Sequence, residues 1–415
     1  MLELTAFEYL CIDIASQYGM DKETFKNRID WVKTNINKLE KLATDRGHWK
    51  EKPLYLKAVQ AMRKVQRGQP IGHMVGLDAS CSGMQIMSAV MDCVDGAKAT
   101  GLVGGGSVPD AYTEVLQRMQ KLIPGLPDSE RKAIKLAVMT SLYGSVAEPK
   151  KLFGNGTLEL QAFYTAMDLT APGACYLLSE LLDSWQPYEL CHSWVLPDNH
   201  HVHVKVMEDM KMRPKVEELD NASFTFYYED NVGLKKGKSN AANIVHSIDA
   251  YILRSLIRRC SYNKKSMKKF FDIIVDEALC RNLSKDWVAQ EPSEELQSMI
   301  DRYEVSGIAD TSILPLLDSD SISSISIDLL EDLGALVQDI LQYPSFSIIT
   351  GHDEFKCHAN HMNRLRYHYR NILADLADSH VINDILNQVT GSNRITGPRR
   401  STLGPMIRKA VYPLS

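Results

Sequence analysis

The stretch Asp78-Ala79-Ser80-Cys81-Ser82-Gly83-Met84-Gln85 decides the fold of this 415-residue chain. It follows the apolar segment His73–Leu77, which is typical of a short strand, so Asp78 is predicted to stand where a strand ends. Two later stretches carry comparable chemistry, and their order along the chain matters. They are Arg131-x3-Lys135-x3-Met139-Thr140-x2-Tyr143-Gly144 and Gly351-His352-Asp353-Glu354-Phe355. One such motif is a weak signal, and three in order are a strong one.

The two aspartates are predicted to sit on rigid backbone. Ser345–Thr350 and Phe355–His358 have the pattern of a β-hairpin with His352-Asp353 at its tip. A carboxylate fixed at a strand end or a hairpin tip, with one side open, suits a Mg²⁺ site that is shared with substrate phosphates. A single loop aspartate is usually only a turn former. The interpretation therefore depends on the pair, Asp78 and Asp353, in their motif contexts.

The middle stretch is predicted to be a helix that begins after Pro127-Asp128-Ser129. Its four marked residues are spaced four apart and share one helix face. Two cations on such a stripe can hold a triphosphate, and an aromatic ring beyond them can stack on a base. A cationic stripe is more often only a solvated face, so the neighbouring residues must decide. The flank beside the stripe is apolar and suited to a core: Ile134, Val138 and Leu142.

The composition is that of an ordinary globular protein, with 44% hydrophobic and 24% charged residues. No apolar run reaches the ~20 residues of a membrane span, and the N-terminus lacks a signal-peptide pattern. Eight scattered cysteines without a CxxC pair indicate a reducing compartment. The net charge of -5 gives no hint of nucleic-acid binding. Any template must therefore be held by local patches.

The hydrophobic pattern predicts a mostly helical chain with short strands. Apolar residues recur at helical spacing over residues 5–67, and further helical patterns run to Leu190. Later elements are two short strands, Trp194–Leu196 and His201–Val206, a helix over Asn243–Arg259, and a long helix from about Asn360.

Two regions stand out by charge. Residues 283–340 contain 13 Asp or Glu against only Lys285 and Arg302, together with a low-complexity stretch at Ser319–Ile327. We expect this block to be a solvated surface that lies away from any phosphate backbone, either bare or against another chain. Residues 391–415 have no acidic residue and carry the cations Arg394, Arg399, Arg400, Arg408 and Lys409.

Taken together, the three stretches resemble motifs A, B and C of the phage and mitochondrial type single-subunit RNA polymerases. The resemblance implies an α+β, mostly helical fold with the palm and fingers of a polymerase right hand. On this basis residues 1–94 are expected to be palm with motif A, and 95–246 fingers with motif B. Residues 247–415 are expected to return to the palm with motif C, with the acidic insertion at about 265–340.

The resemblance also implies roles for individual residues. Asp78 and Asp353 would hold two Mg²⁺ ions, with the Ala79 carbonyl as a further ligand. The ribonucleoside triphosphate would meet Arg131 and Lys135 at its phosphates. The family implies four further nucleotide-binding residues, Gly83, Met139, Tyr143 and His246. The residue that matches Tyr143 closes the site. His246 lies in the segment Asn243-x2-His246-Ser247-x-Asp249, and the matching His in the family reads the nascent base pair and helps to select ribose.

The choice between RNA and DNA synthesis depends on Gly83. DNA polymerase I-like enzymes carry a Glu five residues after the motif A aspartate, in the space of a ribose 2′-hydroxyl, and Gly83 is expected to leave that space empty. His352-Asp353-Glu354 is closer to the DNA polymerase version of motif C, because the RNA enzymes usually have Ser after the Asp. We therefore predict a DNA-directed RNA polymerase, with a DNA polymerase I-like enzyme and a catalytically silent nucleic-acid-binding scaffold as the alternatives.

One motif of the family is missing from the sequence. The upstream Thr-x-x-Gly-Arg motif does not occur, and Thr44-Asp45-Arg46-Gly47 has the wrong order and place. Because nothing precedes Met1, the chain is expected to be the C-terminal half of a polymerase without its own thumb or N-terminal domain. It most resembles the large chain of the two-subunit RNA polymerases of lytic podoviruses. This implies a second chain, a DNA template and RNA–DNA hybrid, a promoter or single-strand-binding factor, and the cytoplasm of an infected bacterium.

Overall fold

The computed structural model describes residues 2–44, 51–126, 131–233, 238–283, 287–393 and 401–415. In these residues helices dominate and the strands are short, which confirms the α+β, mostly helical class. The helices are α1 (Ala6–Ala15), α2 (Phe25–Asn35), α3 (Leu39–Leu42), α4 (Lys52–Gln66), α5 (Ser82–Val90), α6 (Val94–Ala99), α7 (Ala111–Leu122), α8 (Arg131–Ser141), α9 (Ala147–Phe153), α10 (Leu158–Thr170), α11 (Pro172–Asp183), α12 (Lys238–Cys260), α13 (Lys264–Leu283), α14 (Glu294–Ser306), α15 (Ile327–Leu341), α16 (Met362–Ala377), α17 (Val381–Thr390) and α18 (Gly404–Ile407).

The strands form one three-stranded and several two-stranded antiparallel sheets. They are β1 (Met74–Asp78), β2 (Cys191–Val195), β3 (His201–Lys205), β4 (Met207–Met212), β5 (Lys215–Val216), β6 (Ala222–Ser223), β7 (Phe226–Gly233), β8 (Ile348–Gly351) and β9 (Glu354–His358).

The three-stranded sheet lies at the centre of the fold, with the order β1-β9-β8. The register pairs Leu77 with Phe355 and Asp78 with Glu354. Because side chains alternate between the faces of a strand, Leu77 and Phe355 enter the core while Asp78 and Glu354 share the opposite face. The predicted strand ending at Asp78 is confirmed, as is the hairpin with His352-Asp353 at its tip.

The main hydrophobic core packs helices around this sheet. Helix α16 is buried along much of its length, and Tyr369 is one of its core residues. The Tyr369 hydroxyl donates to Oε1 of the buried Gln85 at 2.8 Å, and Gln85 Nε2 donates to the carbonyls of Thr100 and Pro413. This satisfied polar group joins α5, α16 and the residues near the end of the chain, which explains a glutamine in the first predicted motif.

The N-terminal helices confirm the prediction for residues 5–67 wherever the structure describes them. Helix α1 begins with a capping box, in which the Glu8 amide donates to Thr5 Oγ1 and the Glu8 carboxylate accepts from the Thr5 amide. The Tyr9 hydroxyl then donates to Asn363 Oδ1 at 2.6 Å. This bond connects α1 to the first turn of α16.

Residues 264–343 form a second hydrophobic core. Helices α13, α14 and α15 enclose a set of buried aliphatic residues that includes Leu296, Ile313, Leu329, Leu333 and Val337. The acidic count therefore did not reveal that this block is folded around its own core, so the expectation that it is simply a solvated surface was too narrow. Periodic Leu, Ile and Val residues between the acidic ones were the signal for this core.

Two of the acidic residues of this block are turned toward arginines of the main core. Asp310 is only 4% exposed and accepts from the Ser255 hydroxyl at 2.9 Å, while Arg258 Nη2 lies 2.9 Å from its carboxylate. Asp339 pairs with Arg364 of α16 at 2.9 Å. These contacts attach the second core to α12 and α16.

The predicted short strands after Leu190 are confirmed as the β2–β3 hairpin, in the register Trp194 with Val202. The sequence did not predict β4 and β7, which follow directly and pair with each other. Helix α12 extends the predicted Asn243–Arg259 helix at both ends.

Several sequence predictions fall outside the described residues, namely the helix start at Pro127-Asp128-Ser129 and the charges of Lys285, Arg394, Arg399 and Arg400. Arg408 of the basic C-terminal stretch is described, and it pairs with Asp375 and Asp378. Among the described residues, no helix is both long enough and apolar enough to cross a bilayer.

Candidate active site

The sheet brings Asp78 and Asp353 to neighbouring positions. Asp78 is the last residue of β1, and Asp353 immediately precedes β9, its partner strand. The Ala79 amide donates to the Asp353 carbonyl at 3.0 Å, so the backbone fixes the two segments against each other. The two aspartates, 275 residues apart in sequence, therefore lie at the same edge of one sheet.

The turn that carries Asp353 has only two residues between paired strand ends, since Gly351 pairs with Glu354. Its first residue, His352, has a φ of 53°, in the left-handed region that non-glycine residues seldom adopt. Tight hairpins need such a conformation. The side chain of Asp353 is thereby held at a defined point of a short, rigid connection.

A pocket of about 300 Å³ opens at this edge of the sheet. Residues of all three predicted motifs line it: Asp78, Ala79, Ser80 and Cys81 from the first, Lys135 and Met139 from the second, and Asp353 from the third. The structure thus brings together residues that the sequence associated only by order.

Glu354 does not line this pocket although it is opposite Asp78 in the register. Its carboxylate pairs with Lys356 at 2.8 Å. It also lies over Gly76, where an added Cβ would meet Glu354 Oε1 and make this flexible carboxylate move. The residue that departs from the RNA polymerase pattern is therefore part of a separate contact on the sheet.

The turn after Asp78 is shaped by Cys81, which has a φ of 56° and precedes α5. Its thiol is hydrogen-bonded to the Tyr112 hydroxyl, and burial raises the pKa of Cys81. Burial, followed by the proximity of Cys81, also raises the pKa of Tyr112. Both groups therefore stay neutral, and they link the first motif to α7.

Tyr112 also lies beneath the two predicted phosphate-binding cations. The Lys135 Nζ atom is 5.5 Å from its ring centroid, and the Arg131 Cζ atom is 5.9 Å from it. These distances are within the range of cation–π attraction. Sequence reasoning missed Tyr112, because nothing in its local pattern separates it from an ordinary core aromatic residue.

Arg131 does not line the pocket in this structure, because Asp110 holds it. Its Nε atom donates to Asp110 Oδ2 at 2.9 Å and to Thr113 Oγ1 at 3.1 Å, and Nη2 makes a further bond to the same carboxylate. Asp110 also caps α7 by accepting from the Thr113 amide. Lys135 is exposed and lines the pocket, so it is the motif cation that is available there.

Helix α8 explains how the second motif is oriented. Ile134, Val138 and Leu142 are buried as predicted, which turns Lys135 and Met139 outward. The helix ends at Ser141, so Tyr143 lies in the turn that follows and not on the regular helix face.

Tyr143 meets two other predicted site residues. Its ring centroid is 4.9 Å from that of His246, which α12 presents on its exposed side. A Cβ added to Gly83 would be 3.1 Å from the Tyr143 hydroxyl. The space beside Gly83 is therefore not simply empty, as the sequence suggested, because the tyrosine hydroxyl borders it.

The electrostatics of this corner follow from burial and from the carboxylates. Burial raises the pKa of Tyr143 to about 12, with Cys81, Asp249 and Asp353 adding to the shift. Burial also raises the pKa of Asp249 to about 6, and the Asp353 charge contributes. Asp249 belongs to the segment Asn243-x2-His246-Ser247-x-Asp249 but was not predicted as a site residue, and the structure places it close enough to Asp353 for their charges to interact.

The residues at the sheet edge fit a divalent metal by their chemistry. Two carboxylates and the adjacent Ala79 carbonyl are hard oxygen donors that face one pocket, and Mg²⁺ normally completes such a set with water and substrate phosphates. Among the described residues there is no cluster of three or more His, Cys, Asp or Glu suited to a metal. The site fits a metal that is shared with a substrate.

Comparison with known proteins agrees with this geometry. A family model described as DNA-dependent RNA polymerase matches residues 1–184. The mitochondrial DNA-directed RNA polymerase 1 of Arabidopsis thaliana is 25% identical over 232 residues, covering 46% of this chain and 23% of that protein. "Probable DNA-directed RNA polymerase" proteins of Gelasinospora sp. (strain G114) and Neurospora crassa are each 28% identical, over 120 and 155 residues.

The matched part of this chain is 28% for the Gelasinospora protein and 33% for the Neurospora protein, against 14% and 17% of those proteins. The chain therefore spans less than a quarter of each of these curated relatives. Over residues 1–184 the chain matches the family of DNA-dependent RNA polymerases, and its similarity to these relatives agrees with that match.

Proposed function

We propose that this chain carries the catalytic centre of a DNA-directed RNA polymerase, which adds ribonucleotides to an RNA 3′ end on a DNA template. The observation that carries the proposal is the single pocket lined by Asp78, Lys135 and Asp353, one residue from each motif. In this proposal residues 1–94 and 247–415 form the palm and 95–246 the fingers.

We propose that Asp78, Asp353 and the Ala79 carbonyl hold two Mg²⁺ ions. When bound, such a pair of ions activates the 3′-hydroxyl and stabilises the leaving pyrophosphate. The protein contributes the fixed positions of the two carboxylates, which the Ala79–Asp353 backbone bond and the tight turn at His352 provide.

Of the two predicted motif cations, Lys135 is the better placed to bind the triphosphate, since it is exposed and lines the pocket. Arg131 would add a second contact only after exchanging the Asp110 carboxylate for a phosphate. Such an exchange replaces one charge-assisted hydrogen bond by another. Gly83, Tyr143 and His246 do not line this pocket, but they contact one another and form a group that would meet the sugar and base of the incoming nucleotide.

One residue, Glu354, supports the DNA polymerase alternative. In the structure its side chain contacts residues outside the pocket. Its carboxylate contacts Lys356 and covers Gly76, and it does not line the pocket. Gly83 in turn has no side chain in the space that the Tyr143 hydroxyl borders. These contacts favour ribonucleotide synthesis.

The test is extension of a primed RNA–DNA hybrid with Mg²⁺ and either ribonucleotides or deoxyribonucleotides. The protein should be isolated with every chain that accompanies it in its native source. We expect ribonucleotide extension that Asp78→Asn abolishes while hybrid binding persists. A preference for deoxyribonucleotides would favour the DNA polymerase alternative. Hybrid binding without any extension would favour the silent scaffold.

We also propose that a second chain supplies the thumb and the upstream Arg motif, with a promoter or single-strand-binding factor as a further partner. The support is the resemblance to two-subunit podovirus enzymes, which also suggests the cytoplasm of an infected bacterium. The test is to purify the chain alone, prove its mass in solution, and assay extension. Robust synthesis by a proven monomer would overturn the second chain and leave the polymerase proposal standing.

A further inference from the structure

Helix α4 precedes the strand that ends at Asp78, and all of its charges have the same sign. The structure describes every residue of 52–77, and this stretch contains no Asp or Glu. Its cations are Lys52, Lys57, Arg63, Lys64 and Arg67. The chain as a whole has a net charge of -5, so this stretch departs from the average. A basic helix face on an acidic chain is the kind of local patch that can hold a polyanion.

The apolar pattern of α4 decides which of these cations point to solvent. The buried side of the helix packs in the main core and consists of Tyr55, Ala58, Val59, Ala61 and Met62. Four exposed residues on the opposite side are spaced three or four apart and form one stripe: Lys57, Gln60, Lys64 and Arg67. We call these four residues the α4 stripe. With a rise of ~1.5 Å per residue, the stripe is about 15 Å long.

The described part of the chain does not neutralise the three cations of the α4 stripe. Arg63, on the side of the helix toward α3, donates to both carboxylate oxygens of Glu40 at 2.7 Å. Lys57, Lys64 and Arg67 form no ion pair within 4.0 Å among the described residues. Attraction to the negative end of the helix dipole accounts for Lys64 and Arg67. It accounts neither for Lys57 nor for a whole face without an acid.

The α4 stripe begins near the pocket that contains Asp78. The Glu51 amide, at the start of α4, donates to the Gln17 carbonyl at 3.3 Å. One turn after Gln17, Asp21 and Lys22 line the pocket. At its other end α4 leads into the start of β1, and Asp78 is the last residue of that strand. The stripe therefore extends from the neighbourhood of the pocket toward the far end of β1.

The composition of the α4 stripe distinguishes between kinds of partner. Stable protein interfaces have aromatic residues at their centre and few lysines. The stripe has no apolar residue, and its only uncharged side chain is the amide of Gln60. Lys, Arg and Gln are typical donors to the phosphates and sugars of nucleic acid. One strand carries a phosphate about every 3.4 Å, so a stripe of ~15 Å spans about four or five of them.

We propose that the α4 stripe binds the sugar–phosphate backbone of the nucleic acid that extends from the pocket. Lys57, Lys64 and Arg67 would neutralise phosphates, and Gln60 would donate to a phosphate or sugar oxygen. Such contacts fix the position of a strand without reading its bases, so the binding would be independent of sequence and weakened by salt. This inference rests on the proposed function, because that function brings nucleic acid to the pocket.

The test measures equilibrium binding of a labelled primed RNA–DNA hybrid at several salt concentrations. The probe carries template extensions on both sides of the primer end, and the protein is isolated with every chain that accompanies it. Lys57→Gln, Lys64→Gln and Arg67→Gln together should weaken the affinity roughly tenfold or more near 0.1 M salt. They should also reduce the slope of log K against log salt by about two to three. Gln preserves helix propensity at these exposed positions, so thermal unfolding should be unchanged.

The matched control removes three exposed lysines from α13 of the second core, by Lys264→Gln, Lys265→Gln and Lys268→Gln. It changes the net charge by the same amount and leaves the α4 stripe intact. An equal loss of affinity in this control, or an unchanged salt slope in the stripe variant, would overturn the proposal. Binding is measured apart from extension. A wild-type protein that binds the hybrid without extending it would therefore count against the proposed function and leave this comparison valid.

A photo-reactive amino acid in place of Gln60 shows what the α4 stripe contacts. We expect it to crosslink to the labelled hybrid. The same amino acid in place of Glu304, an exposed residue of α14, should not do so. A crosslink from position 60 to an accompanying polypeptide and not to the hybrid would overturn the proposal, since the stripe would then be a protein interface.

Discussion

The pocket at Asp78 and the second core over residues 264–343 use the same kind of residue in opposite ways. At the pocket, Asp78 and Lys135 are exposed and face open volume. In the second core, Asp310 is buried and its carboxylate is fully engaged by Arg258, Ser255 and the Ser312 amide. The first arrangement leaves charge available to a ligand, and the second uses charge to join two parts of one molecule.

This difference shows that the number of acidic residues says little about what they do. The proposed metal site uses only two carboxylates. A strand end and a tight turn hold them at fixed positions beside the pocket. The block of 13 acidic residues looked like a uniform solvated surface, yet Asp310 and Asp339 are structural anchors. The exposure of each carboxylate separates the two cases, and only a structure displays it.

The largest effect on the rate of extension is expected in the β8–β9 hairpin, where Asp353 and Glu354 are neighbours and only Asp353 lines the pocket. Asp353→Asn keeps the shape of the side chain and removes one charge from the proposed metal site, which should cost roughly 5 kcal/mol of barrier, or about 10³–10⁴-fold in rate. Glu354→Gln is the matched control, because Glu354 contacts Lys356 and lies outside the pocket. Single-turnover extension of a primed hybrid measures both.

Equal losses of extension rate in the two variants would mean that the position of Glu354 outside the pocket does not spare it from a role in the reaction. Near wild-type extension by Asp353→Asn would remove Asp353 from the metal site. A melting curve for each variant shows whether the loss is one of chemistry or of folding.

In the second core, the stability of the chain should depend most on Asp310, the buried carboxylate that joins this core to α12. Asp310→Ala leaves the Arg258 charge without this partner in a site where Asp310 was 4% exposed, so unfolding should become easier by about 3–5 kcal/mol. Glu304→Ala, at an exposed position of α14, should change stability by less than ~0.5 kcal/mol. Denaturant unfolding of the full chain measures both, and similar values for the two would contradict the anchoring role.

Much of the pocket was predictable from sequence because its parts are local. The strand before Asp78, the hairpin at Asp353 and the buried flank of α8 each follow from short-range patterns. The partners of these residues come from distant parts of the chain and have no such pattern. The Asp110–Arg131 pair, the Tyr112 ring under Lys135 and the Tyr143 hydroxyl beside Gly83 were therefore not foreseen.

The second core and the β4–β7 pair were not predicted, and the reason differs from that for the pocket. In residues 264–343 the charge count obscured aliphatic residues at helical spacing, such as Leu329, Leu333 and Val337. Strand β4 has the sequence Met-Glu-Asp-Met-Lys-Met, which mixes charged and Met residues and is a weak strand signal. Tertiary pairing with β7 decides its conformation.

A smaller effect is expected at Tyr143, whose hydroxyl borders the space beside Gly83. Tyr143→Phe should relax discrimination against deoxyribonucleotides by roughly tenfold, since a lost hydrogen bond in such a site is worth about 1–3 kcal/mol. Gly83→Glu should act in the opposite direction and penalise ribonucleotides, because its side chain must displace the tyrosine hydroxyl. Single-turnover competition between the two nucleotide types measures both variants, and an unchanged preference in Tyr143→Phe would exclude this hydroxyl from sugar selection.

The smallest effect should be at Tyr112, which separates the roles of its ring and its hydroxyl. The ring lies 5.5 Å from Lys135 Nζ and 5.9 Å from Arg131 Cζ, and each cation–π contact at a partly exposed site is worth about 0.5–1 kcal/mol. Tyr112→Leu should therefore raise the KM for ribonucleotides about fivefold, with a smaller change in kcat. Tyr112→Phe keeps the ring and loses only the bond to Cys81, so its KM should stay within about twofold of the wild type. If the Phe and Leu variants have the same KM, the ring does not position the cations, and the pocket depends on Lys135 without this support.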